Sequence, residues 1–346
     1  LATFLPILRI QAWPIRMLDF PRLQVSICWC LLLLAIMVYL PLSLLSIVLM
    51  ACALSGLIYK CWWILPYTAL YKKEVQAIAA ADPGNTLSII TANVLTPNRR
   101  APELLTIIRQ HQPDIVLTLE SDQWWQTQLD VLENDYPYTV KCPLDNLYGM
   151  HVYSRLPLID TQVDYLVEDD KPSIHTAVLL PSGRSVRCHF LHPAPPSPTE
   201  NDESSERDAE LLVVAHSVAD AKQPTIVAGD LNDVAWSRTT RSFRAISGLL
   251  DPRVGRGMFN TFHAHHWFLR WPLDHLFHSS HFFLAAMQRL DDFGSDHFPL
   301  LTTLVLKPSD QHQQDGIEPS EEQKQFAREK VNEEPVSKGD VPEPGE

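Results

Sequence analysis

The chain has 346 residues, is 46% hydrophobic and carries a formal net charge of −13. That length holds a globular domain of ordinary size plus appendages. The acidic balance argues against a protein that tracks nucleic acid along a broad basic surface. Cys142 and Cys188, the cysteines of the soluble part, have no CxxC partner, which argues against a zinc site.

The first feature in chain order is apolar. From Leu23 to Tyr59 there is no charged residue, more than the ~20 apolar residues that one membrane-spanning helix needs. Pro41 lies near the middle, so the run reads as two helices, about 24–40 and 42–59, turning at the proline. Arg16, Arg22, Lys60, Lys72 and Lys73 flank it, and Trp13, Tyr59, Trp62, Trp63 and Tyr67 fall at interface depth. The run is too long for a cleaved signal peptide. Residue 1 is Leu, and LATFLPIL (1–8) fits the tail of an earlier span. An upstream span would favour an extracytoplasmic soluble domain.

The expected organisation is a membrane anchor over 1–70, a linker over 71–85, a soluble domain over 86–306 and an acidic tail over 307–346. The tail is rich in Glu, Gln and Pro with a lone Phe326, a composition that reads as disorder. Within the soluble domain, strands are expected at 87–94, 114–120, 150–155, 175–181, 185–192, 224–230, 271–279 and 298–306. Helices are expected at 101–112, where Leu104, Leu105 and Ile108 share a face, at 121–135 and at about 204–220. The alternation gives an α/β domain with several hairpins.

Polar residues end many of these strands. VAGDLND (227–233) runs an apolar strand into Asp230 and Asn232, two apart and therefore on one face of extended backbone. Gly, Asp and Asn also make turns, so this stretch alone is ambiguous. The pattern recurs at Asn93, Glu120, His192, Asp274-His275 and Ser295-Asp296-His297. Sites built at strand ends use the rigidity of the sheet.

In order, TAN, TLES, FLHPAPP, GDLND, PLDH and GSDHFPL resemble the motifs of the endonuclease/exonuclease/phosphatase family over about 86–306. The anchor followed by WILPYTALY resembles a membrane-attached bacterial branch of it. The resemblance implies a deoxyribonuclease I-like four-layer αββα sandwich, here preceded by a transmembrane hairpin, with a divalent-metal site at one end. It implies Glu120 as principal metal ligand, Asn93 as ligand or phosphate orienter, and Asp296 as a second metal-side carboxylate. It implies Asp230 as the acid that positions or deprotonates water and Asn232 as the holder of a phosphate oxygen. His297 resembles the catalytic histidine oriented by Asp274, and His192 the other histidine, which contacts the phosphate or leaving group. Hard oxygen ligands favour Mg²⁺ or Mn²⁺.

Further candidates come from position alone. Arg238, Arg241, Arg244, Arg253 and Arg256 follow GDLND and are expected as a phosphate-binding rim or a solvated helix face. Tyr148, with Asp145 and Asn146, is a candidate substrate contact. His263, His265 and His266 form an HxHH cluster that reads as a surface loop, a groove lining or a metal site. The expectation is a multi-pass protein of a bacterial plasma membrane that hydrolyses a phosphoric ester of nucleic acid or of a lipid head group. The lipid bilayer is its other partner, and no protein partner is inferred. The alternative is an inactive membrane scaffold of the same fold.

Overall fold

The computed structural model describes residues 3–345 apart from 9, 80–81, 220 and 308–313. Parts of the expected upstream span, linker and tail therefore lie outside the described residues. A short helix α1 (Trp13–Arg16) leads into α2 (Arg22–Tyr39) and α3 (Leu44–Ile64). Pro41 lies in the turn between them, and Ser43 caps α3 by accepting a hydrogen bond from the Ser46 amide. Both helices are long and apolar enough to cross a membrane. Gly56 lets them approach: a Cβ there would lie 2.7 Å from the Trp29 ring.

Two mixed sheets form the body. In chain order the strands are β1 (Thr86–Asn93), β2 (Ile115–Leu119), β3 (Tyr138–Cys142), β4 (Met150–Ser154), β5 (Leu158–Asp164), β6 (Ser173–Leu179), β7 (Ser185–Leu191), β8 (Thr225–Asp230), β9 (Asp274–His278), β10 (Phe282–Arg289) and β11 (Leu300–Leu306). One sheet runs β10-β11-β1-β2-β4-β3 and the other β5-β6-β7-β8-β9. Period-two alternation sorts their side chains. Ile89, Leu117, Val152, Phe190, Ile226 and Leu276 meet between the sheets.

Their neighbours face outward. Ile90 and Val116 pack under α4 (Ala101–His111) and α5 (Gln123–Leu129), where Trp125 is fully buried. Truncating such a ring costs about 3–5 kcal/mol. Val227 and Phe277 pack under α6 (Ser205–Ala219) and α7 (Arg238–Ser247). The result is the expected four-layer αββα sandwich.

Three strands escaped the sequence reading. β5 is a largely exposed edge with little apolar alternation, β3 is five residues with polar ones mixed in, and β10 opens on an unbroken apolar run, FFLAAM, without alternation. The helix expected at 121–135 is α5 followed by a 3₁₀ stretch, Asp130–Asn134.

The tail departs from expectation more strongly. Residues Glu321–Glu333 form a helix, α8, whose Phe326 and Ala327 are buried against Leu212 of α6. One aromatic and one alanine suffice because α6 and α7 leave an apolar niche for them.

Candidate active site

Strand register brings the polar strand ends together. Asn93 ends β1 beside Leu119 of β2, so Glu120 follows at the same edge. Asp230 and Asp274 are direct partners across β8 and β9. Leu191 pairs with Gly229, which sets His192 next to Asp230. At Gly229 φ is 145°, and a Cβ would sit 2.0 Å from the Leu191 carbonyl oxygen. Only glycine fits this approach. Gly229→Ala is expected to destabilise the fold by at least about 2 kcal/mol, measured by denaturant unfolding, because β8 must move away from β7.

The side chains form one connected group. His297 Nδ1 lies 2.8 Å from Asp274 Oδ2, and its Nε2 lies 3.5 Å from Asp230 Oδ2. Asp230, Asp274 and His297 place a ligand atom each within 4.8 Å of one another. Asn93 Nδ2 donates to Glu120 Oε1 at 2.7 Å and to Asp230 Oδ2 at 3.1 Å. Ser295 Oγ donates to the Asn93 carbonyl at 2.7 Å and so ties the loop before His297 to the end of β1. Glu120 and Asn232 both hold left-handed backbone, φ 58° and 51°. Non-glycine residues rarely sit there, and such strain concentrates at functional sites.

Electrostatics separate the roles. Burial opposes a charge on His297, but Asp274 and Asp230 outweigh it and hold the imidazole up at about 10. Burial also raises the Asp230 carboxyl, against the pull of the His297 charge. His192 is pushed down to about 4 by burial and is neutral at ordinary pH. Its ring lies 5.0 Å from that of Tyr148, whose hydroxyl donates to Glu200 at 3.2 Å.

The donor set fits a hard divalent cation. Glu120 Oε2 is buried without a hydrogen-bond partner among the described residues. Burial pushes its carboxyl up to about 8, against the Asn93 hydrogen bond and the His297 charge, which lower it. Asp296 and Asp230 add further negative charge beside it. A buried, under-satisfied carboxylate among other carboxylates is the arrangement that a cation relieves.

Of the expected site residues, Asn93, Glu120, Asp230, Asp274, Asp296 and His297 come together, with His192 and Tyr148 alongside. Asn232 is adjacent: its backbone N–H donates to Asp230 Oδ1 at 3.0 Å, and its Nδ2 donates to the Pro193 carbonyl at 3.0 Å. The arginines do not form the expected rim. Arg238 lies over the Phe326 ring and Arg241 over the Trp63 ring. Arg244 pairs with Glu74, and Arg256 donates to the Pro252 carbonyl. Their helix and loop hold the end of α3, the segment around Glu74 and α8 onto the domain, so α7 spends its basic face on other parts of the chain.

Arg253 is fully buried. It grips Asp251 and contacts His275 Nδ1 at 2.6 Å, while His275 Nε2 lies 2.9 Å from the Asp233 carbonyl. This brace beneath β9 was not anticipated. The Asp251-x-Arg253 pair resembles an ordinary loop in sequence, and only its burial marks it.

The endonuclease/exonuclease/phosphatase family model matches residues 90–297. The chain belongs to this family. Among solved structures, an endonuclease/exonuclease/phosphatase of Beutenbergia cavernae DSM 12333 is similar at TM-score 0.53 and 19% identity, over 64% of this chain and 72% of that one. The human Nocturnin catalytic domain with bound sulfate gives 0.54 and 18%, over 64% and 95%. D. rerio TDP2 with a single-strand DNA product gives 0.52 and 18%, over 63% and 98%. At such identity the likeness is one of fold. No curated protein matches the chain. The motifs of the endonuclease/exonuclease/phosphatase family thus fall on the strand ends that form the cluster.

Proposed function

We propose that the chain is a membrane-anchored, divalent-metal-dependent phosphoric-ester hydrolase of phosphodiesterase type. The observation that carries this reading is the His297 ring held between Asp274 and Asp230, with Asn93 linking Asp230 to Glu120. Residues 1–70 serve as anchor, 86–306 as catalytic domain.

Asp230, buried beside His297, orients an attacking water and takes its proton. The imidazolium of His297 donates to the phosphoryl oxygen whose charge grows as the new P–O bond forms and the ester bond breaks. Asp274 fixes the ring and its Nδ1 proton. Neutral His192 offers an N–H to the phosphate or the leaving oxygen. Asn232 carries a second amide hydrogen, beyond the one given to Pro193, for a phosphate oxygen.

Glu120 and Asp296, with Asn93 as orienter, would hold Mg²⁺ or Mn²⁺. The chemistry such an ion supplies when bound is neutralisation of charge on the phosphoryl group. The test is hydrolysis by the purified full chain of plasmid DNA, single-stranded DNA, RNA, phospholipids and phosphoinositides, with Mg²⁺ or EDTA. Metal-dependent cleavage of one class is expected, and cleavage of none would leave the inactive scaffold.

A further inference from the structure

One loop connects the catalytic cluster to the membrane anchor. Residues 262–271 leave the site at Phe262, whose ring lies 5.0 Å from that of His297. The Ala264 amide donates to the Asp296 carbonyl at 2.6 Å. The loop is closed on itself by His263 N to Leu269 O at 3.0 Å and Leu269 N to His266 O at 2.9 Å. It is a compact protrusion with a fixed shape.

Its tip is unusually apolar for a surface loop. Trp267 is 79% exposed, Phe268 53% and Leu269 36%. Trp267 and Phe268 stand edge to face at 5.8 Å, and the His266 ring lies 6.2 Å from that of Phe268. Adjacent exposed aromatics of this kind mark a contact surface.

The neighbours of the loop identify what it contacts. Gln24, in the first turn of α2, donates its Nε2 to the Phe268 carbonyl at 2.8 Å. Phe20, just before α2, packs edge to face on Trp271 at the loop base, 5.5 Å away. On α2 the next outward residues are Leu23 and Ile27, both exposed, and the charge-free run begins here. Trp62 of α3 is exposed as well. The tip therefore lies level with the base of the hairpin, where its apolar surface begins. Trp and Phe are favoured at that depth, because their rings bridge head groups and acyl chains.

We infer that residues 265–269 enter the bilayer interface beside α2 and seat the mouth of the catalytic site on the membrane, so that the ester it meets is a phosphate in the lipid head-group layer. The substrate part rests on the hydrolase reading above. The insertion part does not.

The test uses the full chain in phosphatidylcholine–phosphatidylglycerol vesicles doped with lipids that carry a nitroxide near the head group. The tryptophan emission removed by Trp267→Phe should be largely quenched in the unsubstituted chain. If that emission is unaffected by the quencher, the loop faces water or a protein and the insertion is overturned, whether or not the chain hydrolyses anything.

A second variant, Trp267→Ser with Phe268→Ser, separates the substrate part. Hydrolysis of a vesicle-borne phospholipid ester should fall about tenfold, while that of soluble bis(p-nitrophenyl) phosphate stays unchanged. An equal effect on both, or preferential cleavage of soluble nucleic acid by the unsubstituted chain, overturns the lipid assignment.

Discussion

His297→Ala is expected to lower turnover by about 10³-fold. The ring is the only cationic group described between Asp230 and Asp274, and its charge is maintained by both carboxylates. Asp230→Ala should cost a similar factor, because the water loses its acceptor and His297 loses one of two anions that keep it charged. The residues act as a unit, so the double variant should be little worse than either single one. Truncating His297 also leaves Asp274 buried with fewer partners, at a cost of roughly 1–3 kcal/mol. His297→Gln preserves a donor toward Asp274 and separates the effects: it should melt close to the parent and remain inactive. Activity within a few-fold of the parent in either single variant would remove His297 or Asp230 from the reaction.

Glu120→Gln should abolish the metal response and lower turnover. The substitution is nearly isosteric and keeps an oxygen for the Asn93 hydrogen bond. It removes a carboxyl that the metal-free fold buries at a cost, since burial pushes it up to about 8 and folding at neutral pH must protonate a group that is ionised in the unfolded chain. The variant without metal should therefore melt no lower than the parent at neutral pH. The parent should gain about 2.7 kcal/mol when the ion is present at about a hundred times its dissociation constant, and Glu120→Gln should gain none. Turnover should fall by about 10²-fold or more as the phosphoryl charge loses its partner. A Glu120→Gln variant that still responds to Mg²⁺ in thermal melts would place the ion elsewhere.

The polar strand ends were legible because each sits at the border of an apolar run. Asp230 and Asn232 follow Val227-Ala228-Gly229, and His192 follows Phe190-Leu191. Alternation alone sorts the strand residues between the two cores. The pairing that joins these ends is less legible: Asp230 opposite Asp274 depends on antiparallel register between strands separated by a helix and a long loop.

The arginines after GDLND illustrate the limit from the other side. Helical spacing shows that Arg238, Arg241 and Arg244 lie on related faces, but not what covers those faces. Glu74, Trp63 and Phe326, far away in the chain, cover them. Tail composition failed for the same reason. Phe326 cannot nucleate a core by itself, yet it completes one that α6 and α7 already supply. The HxHH cluster reads in sequence as histidines, whereas in the fold its exposed neighbours Trp267 and Phe268 are the informative residues.

The most direct test of the hydrolase account is turnover of the preferred phosphate ester by the purified full chain in ¹⁸O-labelled water, with Mg²⁺ and with EDTA. Attack of a water on phosphorus predicts one ¹⁸O in the phosphate product per bond cleaved, with turnover abolished by EDTA. Label appearing in the released alcohol, or hydrolysis that persists undiminished in EDTA, would contradict a metal-dependent attack on phosphorus at the Asp230–His297 site.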